Sequence, residues 1–128
     1  MSTGSVDDPK PLFWVGSSQD DLRRFPAEVR GVVGFVLYLA QLGGKHQDAK
    51  VLKGFGGAGV LEVVDDHDED TDRAVYTVKF AGAVYVLHAF QKKSTKGIRP
   101  PRHVLDLIRQ RLQDAEAHHE QRTAEESG

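Results

Sequence analysis

The chain reads as a single α+β domain, and three features of the sequence predict it. Apolar residues recur with helical spacing in two separated stretches, 27–42 and 104–112. Between them lie three runs with the two-residue alternation of strands. With a short apolar run and a further helical segment before residue 27, the order is strand, two helices, three antiparallel strands, helix. No internal repeat or linker divides the 128 residues, a length that suits one domain with a modest core.

Hydrophobic content of 39% and charged content of 28% are ordinary for a soluble globular chain. The absence of cysteine excludes disulfides and thiolate metal sites. No long apolar segment is present, and MSTGSVDDPK lacks the basic-then-apolar order of a signal peptide, so a bacterial cytoplasmic location without membrane contact is expected. Net charge is only −2, but it is segregated. Lys92, Lys93, Lys96, Arg99, Arg102, Arg109 and Arg111 stand against the single acid Asp106 over residues 89–111. Residues 62–72 carry seven acids, Glu62, Asp65, Asp66, Asp68, Glu69, Asp70 and Asp72, and no lysine or arginine. Such local concentration makes a polyanion-binding role compatible with a mildly acidic protein.

Residues 1–10 are polar and read as a flexible arm, followed by one domain over 11–117. Leu12–Val15 is a short strand with Trp14 in the core, ended by Gly16. Ser17 or Ser18 caps a helix from about Gln19, with Asp20 and Asp21 in its first turn, where carboxylates suit the helix dipole. Pro26 interrupts that helix or starts the next. From Ala27 to Leu42 the stripe of Val29, Val32, Val33, Val36, Leu37 and Ala40 is widened by Phe35, Tyr38, Leu39 and Leu42. A heavily buried helix is therefore expected, with Gly31 and Gly34 at close contacts and Gly43-Gly44 as its stop.

Residues 45–59 form a glycine-rich connector that lacks the glycine and lysine order of a Walker loop. Val60–Val64 is a strand, with Leu61 and Val63 on one face and Val60, Glu62 and Val64 on the other. The acidic run Asp65–Asp72 is expected as a solvated loop; it lacks the glycine and closing glutamate of an EF-hand. Then RAVYTVKF and VYVLHAF form a hairpin around Ala81-Gly82-Ala83, and the second strand leads into QKKSTKG. A two-residue turn, the reading adopted, puts Arg73 and His88 on one face; a three-residue turn puts them on opposite faces. After Pro100-Pro101, Val104, Leu105, Ile108 and Leu112 mark an amphipathic C-terminal helix, and residues 118–128 read as a polar, disordered tail.

The run RAVYTVKFAGAVYVLHAFQKKSTKG, preceded by LFWVGSSQDDLRRFP and AKVLKGFGGAGVLEV, resembles the HigB-like, phage-related branch of the RelE/ParE toxin superfamily. The resemblance spans roughly residues 10–113, and YVLHAFQKKSTKGI is its most specific part. It implies a RelE/ParE-like small antiparallel sheet with two N-terminal helices packed on one face and a C-terminal helix. It also implies the toxin of a type II toxin–antitoxin pair: a ribosome-dependent endoribonuclease cutting mRNA, neutralised by a helix-turn-helix, HigA-like antitoxin. Contact with promoter DNA is implied only through that antitoxin. The ParE branch shares the fold but inhibits gyrase, so fold alone leaves the activity open. A non-catalytic binding or regulatory protein derived from such a toxin is the further alternative. The Met1–Pro9 arm lies outside the family pattern, as does Asp72 where an aromatic is expected.

Because the branches differ at their active sites, catalytic residues are assigned on chemistry as well as on the resemblance. Cleavage by the substrate's own 2′-hydroxyl needs a group to take its proton, a cation for the charge on phosphorus and a donor for the leaving oxygen; it needs neither metal nor other cofactor. Arg73 suits the phosphate, since a guanidinium grips two of its oxygens. His88 suits proton transfer near neutral pH. Lys53 and Lys93 suit phosphate contact or proton transfer, and Lys50, Lys92, Lys96 and Arg99 suit backbone anchoring. Plainer readings stand beside these. His88 is equally a hydrogen-bonded strand histidine, Arg73 a partner for the acidic run, and the lysines a solvated turn or an antitoxin contact. Tyr76 and Tyr85 read as core, and His118-His119 as a solvated helix end.

Overall fold

A computed structural model describes residues 8–57, 59–67, 70–93 and 100–127. Its elements are β1 (Leu12–Trp14), α1 (Ser18–Arg23), α2 (Ala27–Gln41), β2 (Ala49–Val51), β3 (Val60–His67), β4 (Asp70–Thr77), β5 (Val84–Lys93) and α3 (Arg102–Ser127). The five strands form one sheet in the order β1-β5-β4-β3-β2. The α+β class is thus as expected. Among the described residues no helix is long and apolar enough to cross a membrane.

Strand alternation sorts the core into two clusters. Leu61 and Val63 of β3, Ala74 and Tyr76 of β4, and Val84, Val86 and Ala89 of β5 bury against Leu22 of α1 and Val29, Val33, Val36 and Leu37 of α2. Val60, Val75, Tyr85 and Leu87 bury against Ile108 and Ala115 of α3, with Leu105 and Leu112 packed alongside. The two N-terminal helices therefore cover one face of the sheet and α3 the other. Tyr76 and Tyr85 are core residues, and Trp14 packs against the first cluster.

Several expectations are corrected. The sheet is mixed, because β1 pairs with β5 in parallel: Leu12 meets Val84 and Trp14 meets Val86. The connector 45–59 contains the short edge strand β2, where Ala49 pairs with Val63 and Val51 with Leu61. Of the acidic run, residues 65–67 and 70–72 are strand and not loop, since the β3–β4 ladder continues through Asp65↔Asp72 to His67↔Asp70, and Asp68 and Glu69 lie outside the described residues. Backbone hydrogen bonding here outweighs the cost of like charges placed opposite each other. Helix α2 buries only Val29, Val33, Val36, Leu37 and Ala40, leaving Val32, Phe35, Tyr38 and Leu42 exposed. A helix laid on a sheet buries one stripe, and the widened apolar pattern exceeds it. A Cβ at Gly31 or Gly34 would meet nothing within 4 Å, so neither glycine marks close packing. The tail from His118 is helical to Ser127, because its aromatic and cationic side chains find partners on the sheet: His118 against Phe13 and Tyr85, His119 against Phe80, and Arg122 over Phe13.

The hairpin register has its own outcome. Tyr76 pairs with Val86 and Thr77 with Tyr85, an even-sum register that departs from the two-residue turn. A β-bulge then inserts Leu87, and from Val75↔His88 to Asp70↔Lys93 the pairing is odd-sum. The bulge, not the turn, thus puts His88 and Arg73 on one face of the sheet.

Candidate functional site

Beside the edge of the α3-covered face lies a groove of about 580 Å³ that gathers residues from β2, β3, β4 and the segments flanking them. Register explains the gathering. Lys50 of β2 is paired with Glu62 of β3, and Val64 of β3 with Arg73 of β4, so two neighbouring rows on one face carry Lys50, Glu62, Val64 and Arg73. Lys53 enters just after β2, Asp48 just before it, and Pro100 completes the described lining with Val51, Leu52 and Asp66.

Arg73 is the most deeply buried charge of the groove lining. Its side chain is only 4% exposed, and Nη1 donates to Glu62 Oε2 at 3.0 Å. Its Nε is buried and has no hydrogen-bond partner among the described residues. A buried, unsatisfied guanidinium N–H is costly unless a further acceptor arrives, so the arrangement favours an anion bound there. On the same side Thr71 Oγ1 donates to Asp66 Oδ1 at 3.0 Å, holding that carboxylate in place. The described lining balances Lys50, Lys53 and Arg73 against Asp48, Glu62 and Asp66. Of the cations read from residues 89–111, the described Arg102, Arg109 and Arg111 are not among the lining residues.

His88 is elsewhere. It borders a separate cavity of about 370 Å³ with Asp21, Arg24, Phe25, Phe90 and Gln91. Its ring stacks on Phe90, with centroids 5.0 Å apart and planes 18° apart, and its Nδ1 lies 3.1 Å from Arg111 Nη1. Arginine can only donate, so Nδ1 must be the bare acceptor nitrogen. Burial pushes the His88 pKa below its ordinary value, the Arg111 charge pushes it further, and Asp21 opposes both. A histidine whose basic nitrogen is already occupied is a poor proton carrier.

The same Arg111 guanidinium donates to the Leu87 carbonyl at 2.9 Å and, through Nη2, to Ser17 Oγ at 3.1 Å. It thereby satisfies the carbonyl of the bulge residue. Gly16, at φ +58°, makes room for it: a Cβ there would lie 2.7 Å from Arg111 Nε.

Of the eight residues singled out by sequence, the structure brings Arg73, Lys53 and Lys50 together and sets His88 apart. The backbone pairs Lys92 with Thr71 and Lys93 with Asp70, at the far end of the hairpin from the turn. Lys96 and Arg99 lie outside the described residues. Two residues were not singled out: Glu62 and Arg111. Glu62 was readable as sharing a face with Val60 and Val64, but its place beside Arg73 depends on the β3–β4 register, for which the sequence carries no marker. No signal in the sequence ties Arg111 to a bulge 24 positions away.

The family model described as phage-derived protein Gp49-like matches residues 20–113. That span takes in the groove, His88 and Arg111, but neither β1 nor the last part of α3. Among solved structures the chain is similar to one from the RelBE2 toxin–antitoxin complex of Mycobacterium tuberculosis: 16% identity, 66% of this chain and 100% of that chain covered, TM-score 0.45. No curated protein matches it significantly.

Proposed function

The chain belongs to the phage-derived Gp49-like family, a family of RelE/ParE-like toxins, and on that premise we propose that it is the toxin of a toxin–antitoxin pair that cleaves mRNA. The observation that carries this reading is the buried Arg73–Glu62 pair, with its unsatisfied Nε, flanked by Lys50 and Lys53. In the reaction the substrate's 2′-oxygen attacks phosphorus while its proton passes to the Glu62 carboxylate. Arg73 holds the phosphoryl oxygens as negative charge builds on them. The bond from phosphorus to the 5′-oxygen breaks, and the departing oxygen takes a proton from the Lys53 ammonium. The products are a 2′,3′-cyclic phosphate and a 5′-hydroxyl.

In this reading Lys50, with Lys92, Lys93, Lys96 and Arg99, contacts the RNA backbone without reading sequence. His88 is a positioning residue whose ring and Arg111 partner hold the bulge. The ribosome presents the message, and a helix-turn-helix antitoxin encoded beside the toxin neutralises it.

Induced expression without a partner is expected to arrest growth and to generate mRNA fragments with 5′-hydroxyl ends. Glu62→Gln and Arg73→Lys should each reduce those ends by about 100-fold or more, the usual range for a lost acid–base or charge-stabilising group. Growth arrest with intact mRNA would overturn the reading, and blocked supercoiling in those cells would replace it with gyrase inhibition.

A further inference from the structure

The glycine-rich loop that carries Lys53 is clasped by a side chain that the groove chemistry leaves unused. Arg109 of α3 donates through Nη2 to the Gly54 carbonyl and through Nη1 to Asp106 Oδ1, each at 3.3 Å. Its guanidinium carbon lies 4.9 Å from the centroid of the Phe55 ring. Phe55 is half-buried and packed against the core beneath α3. The guanidinium is thus held in orientation by a ring and two acceptors, while 46% of the Arg109 side chain remains exposed.

The loop leaves room beside it. Gly56 and Gly57 adopt φ of +76° and +153°, which disfavour any residue with a side chain, and a Cβ at either would meet nothing within 4 Å. An arginine serving only as a phosphate contact gains nothing from being fixed against a ring. A fixed, half-exposed guanidinium plane one residue from a groove lysine is instead suited to a stacked nucleobase, because every base has a flat face and guanidinium planes stack on it.

We propose that the Arg109–Phe55 pair is a platform for one unpaired nucleobase of single-stranded RNA, seated beside the loop that brings Lys53 to the groove. This rests on the groove being an RNA site. Binding should then depend on a base at one position of the RNA, and that dependence should require the planar guanidinium rather than its charge.

The full chain and its Arg73→Ala, Arg109→Lys and Phe55→Leu variants can be titrated by fluorescence anisotropy against 2′-O-methyl RNA hexamers, which resist 2′-hydroxyl cleavage. One hexamer is intact and the others each carry a single abasic site. For the unsubstituted chain, one abasic position is expected to weaken binding about tenfold. Arg109→Lys and Phe55→Leu should bind that hexamer and the intact one alike, with Arg109→Lys keeping the salt dependence of the original. Discrimination that survives in Arg109→Lys, or no position at which the base matters, overturns the platform. If the unsubstituted chain does not bind, or Arg73→Ala leaves affinity unchanged, the groove reading fails and takes this inference with it. Affinity that depends on Arg73 but on no base sinks the platform alone.

Discussion

At Arg73 the sheet holds a guanidinium nearly out of solvent and sets the Glu62 carboxylate against it. Burying both charges costs several kcal/mol, which their attraction and one hydrogen bond roughly offset. Removing one partner is different, because it strands the other charge. Arg73→Met should therefore lower unfolding stability by about 3 kcal/mol, whereas Arg73→Met with Glu62→Leu should return to within about 1–2 kcal/mol of the original. Both variants should lack RNA cleavage. Urea unfolding alongside mapping of 5′-hydroxyl ends checks this, and a double variant as unstable as the single one would show that the pair serves the fold first. His88 offers a pH test. Its pKa is lowered by burial, then by Arg111, against a smaller opposing effect of Asp21. A depressed histidine pKa means the unfolded chain binds the proton more readily, so its stabilising contribution is complete above the ordinary value near 6.5 and is lost as pH falls below it. Asparagine can still accept from Arg111 but does not titrate. Over about pH 7.5 to 5, His88→Asn should therefore lose less melting temperature than the original chain.

At the scale of elements, much of the sheet was legible. The alternation that separates Leu61 and Val63 from Val60 and Glu62, and Ala74 and Tyr76 from Arg73 and Val75, is the alternation observed. In β5 the same reasoning holds only as far as Leu87. Continued alternation would put His88 with Val84 and Val86, yet Ala89 takes that side and Phe90 joins the opposite cluster. One inserted residue reverses every position after it, and a bulge made by ordinary L residues has no local signature. What stabilises it comes from α3 and the start of α1, distant in sequence. Helix α2 fails differently: its apolar positions are real, but the sequence does not say how many of them a sheet can cover. Gly16 gives the element-scale test of the bulge. Gly16→Ala would need both a left-handed φ and a Cβ 2.7 Å from Arg111 Nε. A loss on the order of 2 kcal/mol is expected, with weakened hydrogen-exchange protection around Leu87 and His88. A neutral effect would show that Arg111 can leave Ser17 and the bulge without consequence.

Over the whole molecule, α3 spans 26 residues and about 39 Å, well beyond the apolar stripe that announced it. Its first half is anchored by Ile108 and Leu112, with Ala115 following, the kind of stripe that periodicity reveals. Its second half has no such stripe and is fastened by polar-aromatic contacts instead. Tyr85 Oη lies 2.7 Å from His118 Nδ1, the His119 ring stacks on Phe80 at 5.4 Å, and the Arg122 guanidinium sits 4.8 Å over Phe13. Burial pushes the Tyr85 pKa up, with Arg122 opposing, which fits a neutral hydroxyl available for that hydrogen bond. Residues with amphipathic side chains resemble a solvated tail in sequence, and only the positions of Phe13, Phe80 and Tyr85 reveal what they do. Ending the chain after Ala117 removes all three contacts while leaving the Ile108 to Ala115 anchor intact. The buried Tyr85 hydroxyl would then lose its partner and two aromatic rings their cover, a combined cost of about 2–3 kcal/mol. Because the groove is lined from β2, β3 and β4, RNA cleavage by the folded fraction should be unchanged. Thermal unfolding of the truncated and full chains, with cleavage measured well below either midpoint, separates the alternatives. An unchanged midpoint would restore Ala117 as the end of the folded domain, and lost cleavage at full stability would place part of the RNA-binding surface on the last turns of α3.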